Sequence, residues 1–203
     1  MKTWFTADWH LGEDRFQIMQ RPGFKDAQDM IDHFVEQHNN LVNEDDLVYV
    51  VGDAVNQKTP EYLEQVDRFN GNKVLVRGNH DRVFTDEKLS DYFGTIVDEG
   101  DGASLSLDDL DLWITHYPSL AQNDRWNIVG HIHSAWKFQL NSINVGVDAN
   151  HYRPTSMDDI LFYINAITNF YDQDVWAAYG EANSIYKNSR GAKGTYWENN
   201  QCK

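Results

Sequence analysis

The chain has 203 residues, 17 Lys plus Arg against 32 Asp plus Glu, 8 His and one Cys, for a formal net charge of −15. That length suits one domain with a small appendage, and an apolar content of 41% supports a packed core, which excludes a disordered chain. The lone Cys202 can form neither an internal disulfide nor a thiolate metal site, and no leader-like segment or 18-residue apolar run occurs, so a soluble, cytoplasmic protein with no membrane association is expected. The acidity also excludes a broad basic groove for duplex nucleic acid.

Thr3 to Ala7, Leu47 to Val51 and Lys73 to Val76 read as buried strands. Between the first two, Ala27, Met30, Ile31, Phe34, Val35, His38, Leu41 and Val42 keep the 3.6-residue period of a helix face. Between the second and third, Thr59 can cap a helix, Pro60 fits its first turn, Leu63, Val66 and Phe69 give its face, and Gly71 ends it. This βαβαβ opening predicts a parallel sheet whose ligands gather at the carboxyl ends of the strands. From Thr95 onward the strands come closer together: Thr95 to Val97, Ala103 to Leu107, Leu110 to Thr115, Asn127 to Val129, Trp136 to Leu140 and Ser142 to Val145. Their spacing predicts a second, largely antiparallel sheet. Ser156 and Asp159 form a capping-box pattern ahead of Ile160, Leu161, Ile164 and Ile167, which predicts a closing helix. In the last 17 residues Lys187, Arg190, Lys193 and Lys203 face only Glu198, so this tail carries +3 and residues 1–186 carry the remaining −18.

Five short polar motifs stand where strands should end: Asp8-Trp9-His10, Gly52-Asp53, Gly78-Asn79-His80-Asp81, His116, and Gly130-His131-Ile132-His133. Carboxylate, imidazole and amide donors without thiolates suit divalent Mn, Fe, Ni or Zn. An extended backbone at Asp8 to His10 and at His131 to His133 would point both side chains of each pair the same way. Two such pairs and a carboxylate able to bridge suit two ions rather than one.

In this order the motifs resemble the calcineurin-like metallophosphoesterase family. Arg21-Pro22, His116-Tyr117-Pro118 and Asn144 to Asp148 further resemble its small stand-alone bacterial and phage members. The resemblance runs from about Thr3 to Ile160. It implies an α/β fold of two packed mixed sheets flanked by helices, a four-layer α/β/β/α sandwich over residues 1–168, with 169–203 as an extension. It also implies two divalent ions, Mn favoured: Asp8, His10 and His133 on one, Asn79, His116 and His131 on the other, and Asp53 bridging them. A hydroxide between the ions would attack phosphorus in line, His80 would contact the phosphate or protonate the leaving oxygen, and Asp81 would orient His80. The expected activity is hydrolysis of phosphomonoesters or phosphodiesters, with cyclic or short nucleotides among the candidate substrates.

Asn79, His80, Arg125 and His151 are the candidate substrate contacts. Arg82 and Arg153 could also clamp a phosphate or pair with abundant Asp, and Trp9 could stack on a base or pack against the first helix. His33 and His38 read as structural. Glu13 stands where many close relatives carry His, and a carboxylate there would repel an anionic substrate or bind a further cation. Two other functions stay open: a non-catalytic protein-binding module on the same fold, and a nuclease for short single strands. The second would use Tyr186, Tyr196 and Trp197, interleaved with the basic residues of the tail.

Overall fold

A computed structural model of the protein describes residues 1–107 and 110–170. The elements in chain order are β1 (Thr3–Thr6), α1 (Ala27–Asn39), β2 (Leu47–Val50), β3 (Asn72–Val76), α2 (Asp86–Leu89), β4 (Thr95–Val97), β5 (Ala103–Leu107), β6 (Leu110–Ile114), β7 (Trp126–Val129), β8 (Phe138–Gln139), β9 (Ser142–Asn144), β10 (Thr155–Ser156) and α3 (Met157–Phe170). The described residues divide after Met157, which places α3 almost wholly in a second unit. Within α3, Ile160 is buried whereas Phe162 is exposed. The tail residues singled out above lie outside the described residues.

In the first unit, one five-stranded sheet has the order β10-β1-β2-β3-β4. β1, β2, β3 and β4 pair in parallel, with Trp4 opposite Val48 and Val48 opposite Lys73, and β10 runs antiparallel to β1. The second sheet has the order β5-β6-β7-β9-β8. Two expectations from strand spacing are corrected here: Thr95 to Val97 joins the first sheet as β4, and the second sheet is not largely antiparallel but mixed, as the family resemblance implied, because β6 with β7 and β7 with β9 are parallel and only β5 with β6 and β8 with β9 are antiparallel. The connection from β6 to β7 runs through residues 115–125 and that from β7 to β9 through residues 130–141, which include β8, so each returns the chain in the same direction.

Helix α1 starts where Asp26 accepts the backbone N–H of Asp29 (2.8 Å) and buries Ala27, Met30, Ile31, Phe34 and His38. It ends at Asn39, three residues short of the predicted face. Val42 is nevertheless buried, while Leu41 is exposed. The second predicted helix, Pro60–Arg68, is wound as a 3-10 helix, and Thr59 at its start makes no capping hydrogen bond through its side chain. Its Leu63 and Val66 are still buried. Trp9 is buried in a stack on Phe69 (centroids 4.2 Å apart, planes at 20°) with the His38 ring edge-on to it, so it packs rather than facing a ligand. Truncating a buried aromatic of this kind to Ala costs about 3–5 kcal/mol. Among the described residues no helix is long and apolar enough to cross a membrane.

Candidate metal centre

The motif residues follow the carboxyl ends of β1, β2, β3, β6 and β7, where a sheet of parallel strands leaves backbone and side chains free to meet a ligand. Hydrogen bonds tie the loops together: Asp8 N–H to Gly52 O (3.0 Å), His10 N–H to Asp53 O (3.0 Å), Val147 N–H to Ala7 O (3.0 Å) and Gly130 N–H to His116 O (3.1 Å). The expected extended backbone at the ligand pairs is corrected. Asp8, His10, Asp53, His131 and His133 all have left-handed φ angles, +59°, +48°, +54°, +73° and +49°. Such conformations cost a non-glycine residue about 1–3 kcal/mol each and persist only where the surroundings impose them.

The resulting clusters contain three overlapping groups whose ligand atoms lie within 4.8 Å of one another: Asp8, His10 and His133; His10, Asp53 and His80; and Asp53, His116 and His131. Asp53 Oδ2 is 3.5 Å from His10 Nε2 and 3.4 Å from His116 Nε2, so one buried carboxylate faces two imidazoles. Asn79 follows β3 in the turn that also carries His80, and its Oδ1 lies 3.4 Å from Tyr117 OH, whose one proton goes to Glu99. The Tyr117 ring in turn packs edge-on against His116 and His131.

The donor set fits a cation. Both ring nitrogens of His10 and Nε2 of His116 are buried without any hydrogen-bond partner, an arrangement that wastes polar groups unless something else satisfies them. His116 Nδ1 contacts Val51 O at 2.8 Å and can donate to it, which leaves the Nε2 lone pair for the site. Burial holds His10 well below the ordinary imidazole range. Burial also pushes His116 down, but the Asp53 carboxylate beside it and the Asp8 charge lift it to about 9. Burial lifts Asp8 to about 6, although both its oxygens meet the His131 N–H at 3.0 Å.

The backbone is pressed against these groups. A Cβ on Gly52, which itself has φ +84°, would lie 2.2 Å from His116 Nδ1. One on Gly78 would lie 2.3 Å from Asp53 Oδ1 and 2.8 Å from His116 Nε2, and one on Gly146 would lie 2.6 Å from Asp8 Oδ2.

Several expected roles change. Asp81 does not orient the His80 ring. Its carboxylate is buried and accepts the N–H groups of Gly78 (2.8 Å), Asp53 (2.8 Å) and Ala54 (3.1 Å), joining two ligand-bearing turns. Burial and the nearby Asp53 charge raise it to about 7. His80 instead accepts the Gln57 N–H at Nδ1 (3.3 Å), and its own backbone N–H donates to Asp53 Oδ1 (2.8 Å).

Arg125 precedes β7 whereas His131 and His133 follow it, so the length of this four-residue strand, about 13 Å at about 3.3 Å per residue, separates Arg125 from the centre. Its guanidinium donates to Ser104 Oγ (3.1 Å). His151 is exposed at φ +55° and makes no hydrogen bond or ion pair with the motif residues among the described residues. Arg82 pairs with Glu99, which Tyr117 OH also reaches, and Arg153 donates to Gln37 (2.9 Å). Glu13 is engaged by its own neighbours. It is buried and accepts from Arg15 Nε (2.8 Å), Arg15 NH2 (2.6 Å) and Asn56 Nδ2 (2.9 Å), and these Arg15 bonds overcome burial to hold it at about 2. An Arg two residues after the Glu was the signal for this pairing.

Gln57, whose N–H meets His80 Nδ1, and Arg15, whose charge acts on the His80 ring, were not singled out as individual residues. Neither carries a motif, and only the fold brings the loop after Asp53 against the turn after β3.

The sequence profile of a family described as calcineurin-like phosphoesterase matches residues 1–163. An uncharacterized protein of Methanocaldococcus jannaschii is 27% identical over 173 residues, covering 79% of this chain and 89% of that protein. The crystal structure of a protein of unknown function from Aquifex aeolicus has the same fold, with a TM-score of 0.63 at 23% identity, over 80% of this chain and 98% of that one.

Proposed function

The chain belongs to the calcineurin-like phosphoesterase family, and from that premise we propose that it hydrolyses phosphate mono- or diesters at a centre of two divalent ions, Mn favoured among Mn, Fe, Ni and Zn. One observation carries the reading: Asp53 Oδ2 stands between His10 Nε2 and His116 Nε2, two buried nitrogens with no other partner. In this reading Asp8, His10 and His133 would hold one ion and Asn79, His116 and His131 the other, with Asp53 as a ligand shared between the two groups. Ions held there would polarise a phosphoryl oxygen and lower the pKa of a water.

The rest of the chemistry belongs to the side chains. Because His80 Nδ1 accepts from Gln57, a neutral ring carries its hydrogen on Nε2. That N–H is the donor for a phosphoryl oxygen as charge builds on it, or for the departing oxygen. The bond from the His80 backbone N–H to Asp53 Oδ1 ties the residue that carries this donor to the Asp53 carboxylate, and Asp81 accepts the Asp53 backbone N–H. Asn79, beside His80, also offers an amide N–H to the ester.

Protein supplied with Mn is expected to release nitrophenol from p-nitrophenyl phosphate or its bis ester, and Asp53→Ala to abolish that release. No release from either ester by the unaltered protein, or undiminished release by Asp53→Ala, overturns the reading.

A further inference from the structure

Arg21 is entirely buried, 12 residues beyond Trp9 in the same β1–α1 connection that carries Asp8 and His10. Its guanidinium forms a fork on Asp148, Nε to Oδ1 at 2.7 Å and NH2 to Oδ2 at 2.9 Å. The same group donates from NH2 to Asp8 O (2.5 Å) and from NH1 to Trp9 O (2.9 Å). Asp148 Oδ2 lies 2.6 Å from His133 Nδ1. One planar cation therefore joins the backbone around two proposed ligands, Asp8 and His10, to the carboxylate that meets the third, His133.

We propose that Arg21 and Asp148 are positioning residues that set the tautomer of His133 and the register of Asp8 and His10, completing one ion site. The proposal rests on the metal-centre reading above.

A carboxylate paired with Arg accepts hydrogen bonds and donates none, so the contact at 2.6 Å needs a proton on His133 Nδ1. The Nε2 lone pair of the neutral ring is then free for an ion, and the carboxylate raises its basicity. Burying a guanidinium is costly, and an ion pair seldom repays more than that cost, so stability alone is a weak reason for Arg21. Its other two bonds give a better one. Asp8 and His10 sit at φ +59° and +48°, and clamping the carbonyls of Asp8 and Trp9 opposes relaxation of this segment. The clamp is also charge-balanced, because Arg21 neutralises Asp148 and the centre gains orientation without an added negative charge.

The test is calorimetric titration of Mn into the chelator-treated full chain, for the unaltered protein, Asp148→Asn and Arg21→Lys. An Asn must turn an N–H toward either Arg21 or His133, and Lys cannot form the fork. Both variants are expected to weaken one bound equivalent 10–100-fold and spare the other. Unchanged affinity, or equal weakening of both equivalents together with a lower melting temperature of the metal-free protein, overturns the proposal. Should a variant fail to fold, imidazole 15N NMR of the metal-free unaltered protein decides, at a pH where the ring is neutral. His133 protonated at Nδ1 supports the proposal and protonation at Nε2 overturns it. No Mn bound by the unaltered protein overturns the metal-centre reading itself, whereas failure of the variants alone leaves that reading standing.

Discussion

His116 Nε2 lies 3.4 Å from Asp53 Oδ2 and has no hydrogen-bond partner, while its other nitrogen is taken by the Val51 carbonyl. The ring is thus oriented from behind and open in front. Asp53→Asn keeps the shape but removes the charge, so it is expected to lose at least one ion equivalent and to lower turnover at least 100-fold. Metal analysis of the purified variant beside its rate checks this.

His80 is the donor rather than an essential ligand in this account, although its ring lies close to His10 and Asp53. His80→Gln is therefore expected to lower kcat by about 10²–10⁴ while keeping metal content. Loss of metal in proportion to activity would instead make His80 a ligand.

Gly78 has φ −106°, which any residue adopts, so the obstacle to Gly78→Ala is contact with Asp53 and His116 rather than its backbone angle. The variant is expected to fold, with a loss of about 1–3 kcal/mol in chemical denaturation, and to lose metal affinity. Full metal affinity in a folded Gly78→Ala protein would show that the turn has room.

His38 supplies the pH dependence of stability away from the centre. Its Nε2 meets Asn70 O at 2.9 Å, and burial depresses its pKa to about 4. The folded state therefore binds this proton less readily than the unfolded chain, where the pKa is near 6.5. Its contribution is complete above pH 6.5 and is lost as pH falls toward 4, on the order of 3 kcal/mol in all. Denaturation midpoints between those pH values should fall for the unaltered protein and flatten for His38→Gln.

The parallel sheet and α1 were legible because β-branched runs and a 3.6-residue period each reflect one local geometry, seen in Val48 and Val50 or in Met30, Ile31 and Phe34. Strand direction in the second sheet was not, since Trp126 to Val129 reads the same whether β6 lies parallel or antiparallel beside it. The motif residues were visible, but their left-handed backbone was not. Nothing in Asp-Trp-His distinguishes a strand from the turn held by Gly52 O and Arg21. Arg125 was misjudged because its charge is evident in sequence while the intervening length of β7 matters only in space. The tie between Arg21 and Asp148 spans 127 positions, beyond any local pattern.

The central claim is that this chain's Asp and His residues hold two ions that its phosphoesterase activity requires. Chelator-treated protein titrated with Mn, with hydrolysis of bis(p-nitrophenyl) phosphate followed at each addition, tests it most directly. The account predicts no hydrolysis at the start and full activity at two equivalents per chain. Hydrolysis at full rate without metal, or none after both equivalents have bound, would contradict it.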